Sequence, residues 1–505
     1  MSKSLHYTSF LAIEKTNAEL RSSFKAGKAS SIAFRKQQLL QMAYMFQDNL
    51  EAFQESFYKD LGRPKLEATI MDIGVLIGDA LFAYKNLDKW AKPQKAPYDP
   101  TYSVFNPTVH REPKGVVLII GPYNYPLYCI GAMAGAIAAG CAMVVKPSEL
   151  CPATANLLAE LFPKYLDQSL YRIINGGIEE TTKVLTLKWD HILYTGSGRV
   201  GRIVATAAAK HLTPVSLELG GKSPALVHSS ANFEVACRRL LWGKMVNAGQ
   251  TCLAPDYIVV LKEDKDRFTE TILRICKEFY NDDPRNSNSF GRLRAGTHFE
   301  RVNGLLKRTK GKIIYGGDTD PEDKYIAPTI VVDVDWDDAL MEEEIFGPIV
   351  PIISVSNFDV ALDYVRDHDE PLAMYPFHND TKFRDYVRAN TLSGVFMEND
   401  TIIACASLIS PLGGVGGSGT GSYKGEYSFL TFTHLRSSYE SPAWLDSAVG
   451  MKARYPPYTD RQYEKAKALF VQTIPYARPG EPSYWSPRQW SFVAAFLNIW
   501  NSSRK

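Results

Sequence analysis

Asn247-Ala248-Gly249-Gln250-Thr251-Cys252 sets a cysteine just past a glycine-containing bend at the end of a helical pattern. A thiol presented there can serve as a nucleophile, since the thiolate is the attacking form. An isolated cysteine is otherwise most often a small buried hydrophobe, so its company decides the reading. Glu218-Leu219-Gly220-Gly221-Lys222-Ser223-Pro224 follows an apolar run. Two glycines after an acid allow a close turn that leaves the carboxylate at a strand end, where it can take a proton from a thiol or a water. A helix-capping acid or a ribose ligand fits the same motif. Asn124, in Gly121-Pro122-Tyr123-Asn124-Tyr125-Pro126, carries an amide able to donate to a developing oxyanion, although asparagine is also a common turn residue.

Three further clusters suit a nucleotide. Lys146-Pro147-Ser148-Glu149 ends an apolar run, and its Lys146 and Glu149 suit ribose hydroxyls or simply a solvated turn. Glu344-Ile345-Phe346-Gly347-Pro348 offers an acid for a ribose and a ring, Phe346, to flank a flat nicotinamide; ordinary surface and core are the alternatives. Gly196-Ser197-Gly198-Arg199-Val200-Gly201 satisfies G-x-G-x-x-G between an apolar run and an Ala-rich helical stretch, with Glu218 about where a ribose-binding acid would follow. Gly414 to Gly419 also satisfies the pattern but precedes no apolar helix. A lone match therefore weighs little.

The elements that must position these groups read as an α/β chain. "FRKQQLLQMAYMFQDNLEAFQESFYKDLG" spaces apolar residues by three and four until Gly62 and Pro64 stop it. "GVVLII", "CAMVVKP", "YRIING", "HILYTG" and "PVSLELGG" are strand-like runs alternating with helical ones, as in a mainly parallel sheet. A second such series runs from "PALVH" through "DYIVVLK", "PTIVVDV" and "IVPIISV" to "SGVFMEND". "TYSVFNPTVHREP" reads as extended, and "YSFLTFTHLRSS" alternates like a strand.

A chain of 505 residues exceeds one ordinary core and predicts at least two domains. A net charge of +2 supplies no global field for nucleic acid. Seven scattered cysteines without C-x-x-C spacing read as reduced intracellular thiols, not as a disulfide frame or a zinc site. The N-terminus lacks the apolar core of a secretory signal, so a cytoplasmic protein is expected.

"GPYNYP", "KPSE", "TGSGRVG", "LELGGKSP", "NAGQTC", "EIFGP" and "PLGGVGGSGTGSYKGEYSFLTFTH" together resemble the successive motifs of the aldehyde dehydrogenase superfamily, in the same order and over roughly residues 10 to 455. "AAAKHLTPVSLELGGKSP" and the "GSYKGEYSFLTFTH" stretch resemble its class 3 branch, which includes fatty aldehyde dehydrogenases. The resemblance implies two Rossmann-type α/β domains plus a β-hairpin oligomerisation element. An NAD(P)-binding domain would span 1–219, with bridging strands around 100–113, and a catalytic domain 220–420. A bridging strand over 421–437 and a C-terminal appendage over 438–505 would follow. It further implies that Cys252 attacks an aldehyde to give a thiohemiacetal, with Asn124 and the Cys252 N–H on its oxyanion. Glu218 would then activate the water that hydrolyses the resulting thioester. Lys146 and Glu149 would bind the adenine ribose of NAD or, less readily, NADP. Gly196 and Ser197 would lie at the pyrophosphate, Glu344 at the nicotinamide ribose and Phe346 beside the ring. A homodimer is implied, and a long-chain or similarly apolar aldehyde is the expected substrate, with Tyr123, Tyr125, Trp242 and Met245 as tunnel candidates.

Leu412 stands where the family usually has Phe, and Pro376 interrupts "YPF", suggesting an edge or distorted strand. Two rivals compete: a coenzyme-A-acylating relative, opposed by Glu218, and a catalytically silent binding protein, opposed by the joint presence of Cys252, Glu218, Asn124, Lys146 and Glu344. The tail "SPRQWSFVAAFLNIWNSSRK" has a capping box and an apolar face. Its helix, predicted over 487–500, is too short to span a bilayer, since Trp490 to Trp500 rises roughly 16 Å. Peripheral membrane contact, a cover over the substrate entrance and ordinary packing all remain open for it.

Overall fold

Continuous apolar runs become the strands of two parallel sheets in the computed structural model, which describes residues 4–99, 102–448, 454–471, 474, 476 and 478–480. The first sheet runs, in spatial order, Gly419–Thr420, Val215–Glu218, His191–Thr195, Val116–Ile120, Ala142–Lys146 and Tyr171–Ile173. All its pairings are parallel except that of Gly419–Thr420, which lies antiparallel on Val215–Glu218 with Gly419 opposite Glu218. The second sheet runs Lys312–Tyr315, Thr329–Val332, Ile349–Val355, Tyr257–Leu261, Pro224–Val227, Ala373–Phe377 and Val395–Phe396. Here Lys312–Tyr315 alone is antiparallel to its neighbour. The core strands are buried throughout, as parallel sheets covered by helices require.

The N-terminal helices follow their sequence signals. Ser9 and Ser31 cap Phe10–Lys25 and Ile32–Asp48 through side-chain oxygens. Leu50–Leu61 ends at Gly62 in the left-handed conformation. Thr69–Ile73 then forms a π-helical turn that leads into Gly74–Ala91.

Three readings change. "YSFLTFTHLRSS" is not one strand: Gly425–Thr431 is a helix, and only Thr433–Ser438 is extended. The helix packs on the all-buried helix Met133–Ala139 so closely that a Cβ on Gly135 would lie 2.5 Å from the Ser428 carbonyl carbon. Thr433–Ser438 joins Thr108–Pro113 and Gln94–Lys95 in a three-stranded sheet, so only the second half of "TYSVFNPTVHREP" is extended, Ser103–Phe105 being a 3-10 turn. Pro376 does not mark an edge: its strand lies one in from the edge. The short edge strand pairs only with Ala373 and Met374, and beyond it the Pro376 carbonyl accepts the Asn399 N–H at 3.0 Å. The missing proline N–H falls on that thinly paired side.

The described chain divides into two compact units. One is the chain up to Lys95 together with Thr108–Ser437; the other joins Ala96–Pro107 to the chain from Ser438 onward. Within the second, the Glu440 N–H donates to the Phe105 carbonyl at 2.8 Å, and a capping box of Thr459 and Gln462 opens the helix Asp460–Phe470. The helix predicted over 487–500 lies outside the described residues. No helix among the described residues is long and apolar enough to cross a membrane.

Candidate active site

The cysteine loop is bent against its own backbone preferences. After the helix Phe233–Met245, Asn247, Ala248 and Gly249 have φ of 54°, 53° and 79°, three successive left-handed residues. The two non-glycine residues cost about 1–3 kcal/mol each in that conformation, so neighbours must enforce it. Asn124 does so from the "GPYNYP" turn: its Nδ2 donates to the Gln250 carbonyl at 2.9 Å, and its carbonyl accepts from Asn247 Nδ2 at 2.8 Å. Gln250 Nε2 closes back onto the Asn247 carbonyl at 2.9 Å. A Cβ on Gly249 would lie 2.3 Å from the Gly347 carbonyl, so the loop lies flush on "EIFGP". Cys252 emerges half-buried at the wall of a narrow, largely apolar pocket.

Glu218 lines the same pocket. It ends the strand Val215–Glu218 and is 4% exposed; its carbonyl accepts the Gly196 N–H, while its side-chain Oε1 has no hydrogen-bond partner. Burial therefore pushes its carboxyl well above the usual carboxylate range. Burial raises the Cys252 thiol as well, assisted by the nearby charges of Glu344, Cys405 and Glu218. Two proton-holding groups thus face one cavity in a dry wall.

The remaining candidates gather at the C-terminal ends of the parallel strands, where open α/β sheets bind ligands. Lys146 closes its strand and donates to Glu149 Oε2 at 2.7 Å. Ser197 caps the helix Gly198–Ala209 and accepts the Val200 N–H, leaving the first N–H groups of that helix without intrahelical acceptors. A Cβ on Gly196 would meet the Tyr194 hydroxyl at 2.2 Å, and one on Gly201 would meet Leu219 Cδ2 at 2.9 Å. Gly198 has no such neighbour. Thr195 Oγ1, buried on the pocket wall beside this helix, lacks a partner. A capped helix N-terminus, an ion-paired lysine and acid, and unpartnered buried oxygens suit a dinucleotide.

Glu344 lies where a Cβ on Gly220 would touch its carboxylate at 2.1 Å, so "LELGG" and "EIFGP" meet directly. Burial first, and then Asp256, raises the Glu344 carboxyl to about 8. Phe346 has a φ of 51° and faces the Tyr123 ring edge-on at 6.1 Å, while Tyr123 stacks on His298 at 4.4 Å. Sequence reasoning missed the groups that hold this segment. Arg301 donates to the Glu344 and Ile345 carbonyls, and Lys222 to Asp256 and to the Leu340 and Glu343 carbonyls. Asp256 in turn accepts the Ile345 N–H at 3.1 Å.

Of the four tunnel candidates only Tyr125 lines the pocket; Tyr123, Trp242 and Met245 do not. The wall is completed by Met71, Tyr128, Leu219, Thr251, Leu253, Leu372, Cys405, Leu412 and Tyr423. Leu219, Thr251, Leu412 and Tyr423 lie within the motifs quoted above, Leu412 as the departure from the usual Phe. Met71 arrives on the π-helical turn, which no short motif announces.

The two parallel sheets and the pocket at their strand ends are those of an α/β oxidoreductase. The chain matches the aldehyde dehydrogenase family over residues 9–438 and belongs to it. It is 43% identical over 464 residues to aldehyde dehydrogenase family 3 member A2 of Rattus norvegicus, covering 91% of this chain and 94% of that protein. It is 42% identical over 447 residues to aldehyde dehydrogenase, dimeric NADP-preferring, of the same species, covering 88% and 98%. Among solved structures, the substrate-bound state of Staphylococcus aureus AldH superposes with a TM-score of 0.87 at 37% identity, over 91% of this chain and 99% of that one. The protein is an aldehyde dehydrogenase that oxidises aldehydes to carboxylic acids with NAD(P).

Proposed function

We propose that Cys252 is the nucleophile and Glu218 the deacylation base of this oxidation, acting on a long-chain or similarly apolar aldehyde. The observation that carries the reading is the shared pocket: a half-buried thiol and a carboxylate with an unpartnered oxygen face one apolar cavity. Glu218 takes the proton of the Cys252 thiol and passes it to solvent as the sulfur attacks the aldehyde carbon, forming the C–S bond of a thiohemiacetal while the carbonyl π pair moves onto the oxygen. The second N–H of the Asn124 amide and the Cys252 N–H hold the oxyanion. Bound NAD(P) supplies the hydride acceptor that converts this adduct to a thioester. Glu218 then takes a proton from water, the hydroxide attacks the thioester carbon, and the C–S bond breaks to release the acid and restore the thiol.

For the cofactor, Lys146 and Glu149 hold the adenine ribose, Gly196 and Ser197 lie at the pyrophosphate, Glu344 takes the nicotinamide ribose, and Phe346 flanks the ring. The Glu149 charge disfavours a 2′-phosphate, so NAD is preferred and NADP accepted. Met71, Tyr125, Tyr128, Leu253, Leu372, Leu412 and Tyr423 support the apolar substrate class. A homodimer fits the word "dimeric" in the name of one relative and the solvent-facing edge strand Thr433–Ser438, whose Leu435 is 57% exposed. A domain limit at 219/220 fits the passage between the two sheets, whereas Gly419–Thr420, inside the 220–420 span, lies on the first sheet. Peripheral contact of the tail with a membrane surface completes the proposal.

Cys252→Ser tests the core of it. The variant should lose aldehyde oxidation by about three orders of magnitude or more while still binding NAD, because an alcohol is a far poorer nucleophile than a thiolate. Near-wild-type turnover would reject the assignment. Running the aldehyde panel with and without coenzyme A separates hydrolysis from acyl transfer: rates independent of coenzyme A support Glu218 as the base.

A further inference from the structure

The nucleophile loop has a third support, from a part of the chain with none of the motifs above. Arg63 is fully buried and pairs with Asp72, which accepts the Tyr128 N–H from the π-helical turn. Arg63 also lies 3.9 Å from Glu67 and covers the Tyr125 ring at 4.2 Å. Tyr125 reaches Thr251, the neighbour of Cys252, through a hydroxyl–hydroxyl hydrogen bond of 2.9 Å. Glu67 Oε2 accepts the Asn247 N–H at 2.8 Å. Asn247 is the first left-handed residue after the helix, and this N–H is the donor with which the loop leaves the helical path. Both arms of the Arg63 cluster therefore end on the six residues that present the thiol.

We propose that Glu67 is a positioning residue for the nucleophile: its carboxylate, seated against Arg63, accepts the Asn247 N–H and so holds the left-handed run that carries Cys252 to the pocket. The proposal rests on Cys252 being the attacking group. A carboxylate is a stronger acceptor for that N–H than a neutral acid or an amide, so the ionised form is the one that fixes the loop. Burial raises the Glu67 carboxyl to about 7, against the opposing pull of Arg63 and the Asn247 N–H. Asp72, Tyr125, Tyr280, Cys151 and Cys405 are the other titratable groups around this cluster among the described residues. As pH falls through that range, Glu67 takes up a proton, its bond to Asn247 loses charge assistance, and Cys252 is held less firmly.

The test uses the full-length enzyme with Glu67→Gln, which preserves shape, and Glu67→Ala. Two readouts are followed with pH: the rate of alkylation of Cys252 by iodoacetamide, scored on the Cys252 peptide, and the pre-steady-state burst of NADH. Glu67→Gln should keep the melting temperature and the KM for NAD, slow both readouts by about 10-fold, and lose the step near pH 7; Glu67→Ala should slow them by about 100-fold, the scale of an ångström's misplacement. Wild-type Cys252 alkylation in both variants, a pH step retained in Glu67→Gln, or a loss confined to NAD affinity would overturn the proposal. An active Cys252→Ser enzyme would instead remove the reading beneath it, so the two failures are distinguishable.

Discussion

Glu218 and Cys252 line one pocket, although Glu218 closes a strand of the six-stranded sheet and Cys252 follows a helix and a three-residue left-handed bend. The approach depends on glycines at the contact points. Gly220 leaves room for the Glu344 carboxylate and Gly249 for the Gly347 backbone, so "LELGG", "NAGQTC" and "EIFGP" interlock at distances no Cβ allows.

The pH dependence of turnover follows from burial at Glu218. A base must be deprotonated to act, and burial raises this carboxyl, so it stays protonated well above the normal carboxylate range. Hydrolysis-limited kcat should therefore rise with pH above the ordinary carboxylate range, and Glu218→Gln should abolish that limb. A wild-type kcat limb that falls within the ordinary carboxylate range, or one that persists in Glu218→Gln, would contradict the assignment.

Gly249 and Gly198 should respond oppositely to alanine. Gly249→Ala places a Cβ 2.3 Å from the Gly347 carbonyl at a φ of 79°, whereas the nearest atom to a Cβ on Gly198 is Arg202 Nη1 at 3.6 Å. Thermal melts should show Gly249→Ala destabilised by more than the about 1–2 kcal/mol of the left-handed conformation alone, with activity lost. Gly198→Ala should melt like the wild type. Equal destabilisation would mean that the first-turn glycine is structurally required after all.

That contrast bears on what the sequence made legible. Buried parallel strands announce themselves as unbroken apolar runs, so Val116–Ile120 and His191–Thr195 were readable directly. G-x-G-x-x-G was ambiguous because its glycines answer to different neighbours: Gly196 to Tyr194 and Gly201 to Leu219. Glu218 read as base, helix-capping acid or ribose ligand from its own motif, and only the resemblance carried by the successive motifs favoured the base. Gly425–Thr431 misled because alternation over so few residues fits a helix face as well, and its partner, Met133–Ala139, lies far away in sequence. Arg63, Glu67 and Arg301 act through contacts set by how irregular and distant segments fold together, which leave no local pattern.

Cofactor choice should turn on Glu149. Its carboxylate pairs with Lys146 at 2.7 Å, and removing its charge removes the repulsion toward a 2′-phosphate. Glu149→Gln should raise kcat/KM for NADP relative to NAD by about 10-fold, on the scale of one or two kcal/mol of charge interaction. A wild-type enzyme that already prefers NADP would contradict the NAD preference.

The tail is testable by truncation. Deletion after Pro482 should leave short-aldehyde oxidation largely intact and selectively reduce long-chain oxidation, liposome binding, or both. Equal loss on short and long aldehydes with a lowered melting temperature would make the tail a structural element.

The central claim is a covalent cysteine intermediate cleared by Glu218, and the acyl-enzyme itself is its most direct test. Glu218→Gln, mixed with NAD and an apolar aldehyde and quenched in acid, should release one burst of NADH and then stall. Mass spectrometry should find the acyl group on the Cys252 peptide, with the cofactor dissociation constant unchanged. Continued turnover at the wild-type rate with weakened NAD binding, and no acyl group on Cys252, would show Glu218 to be a ribose ligand and the account wrong.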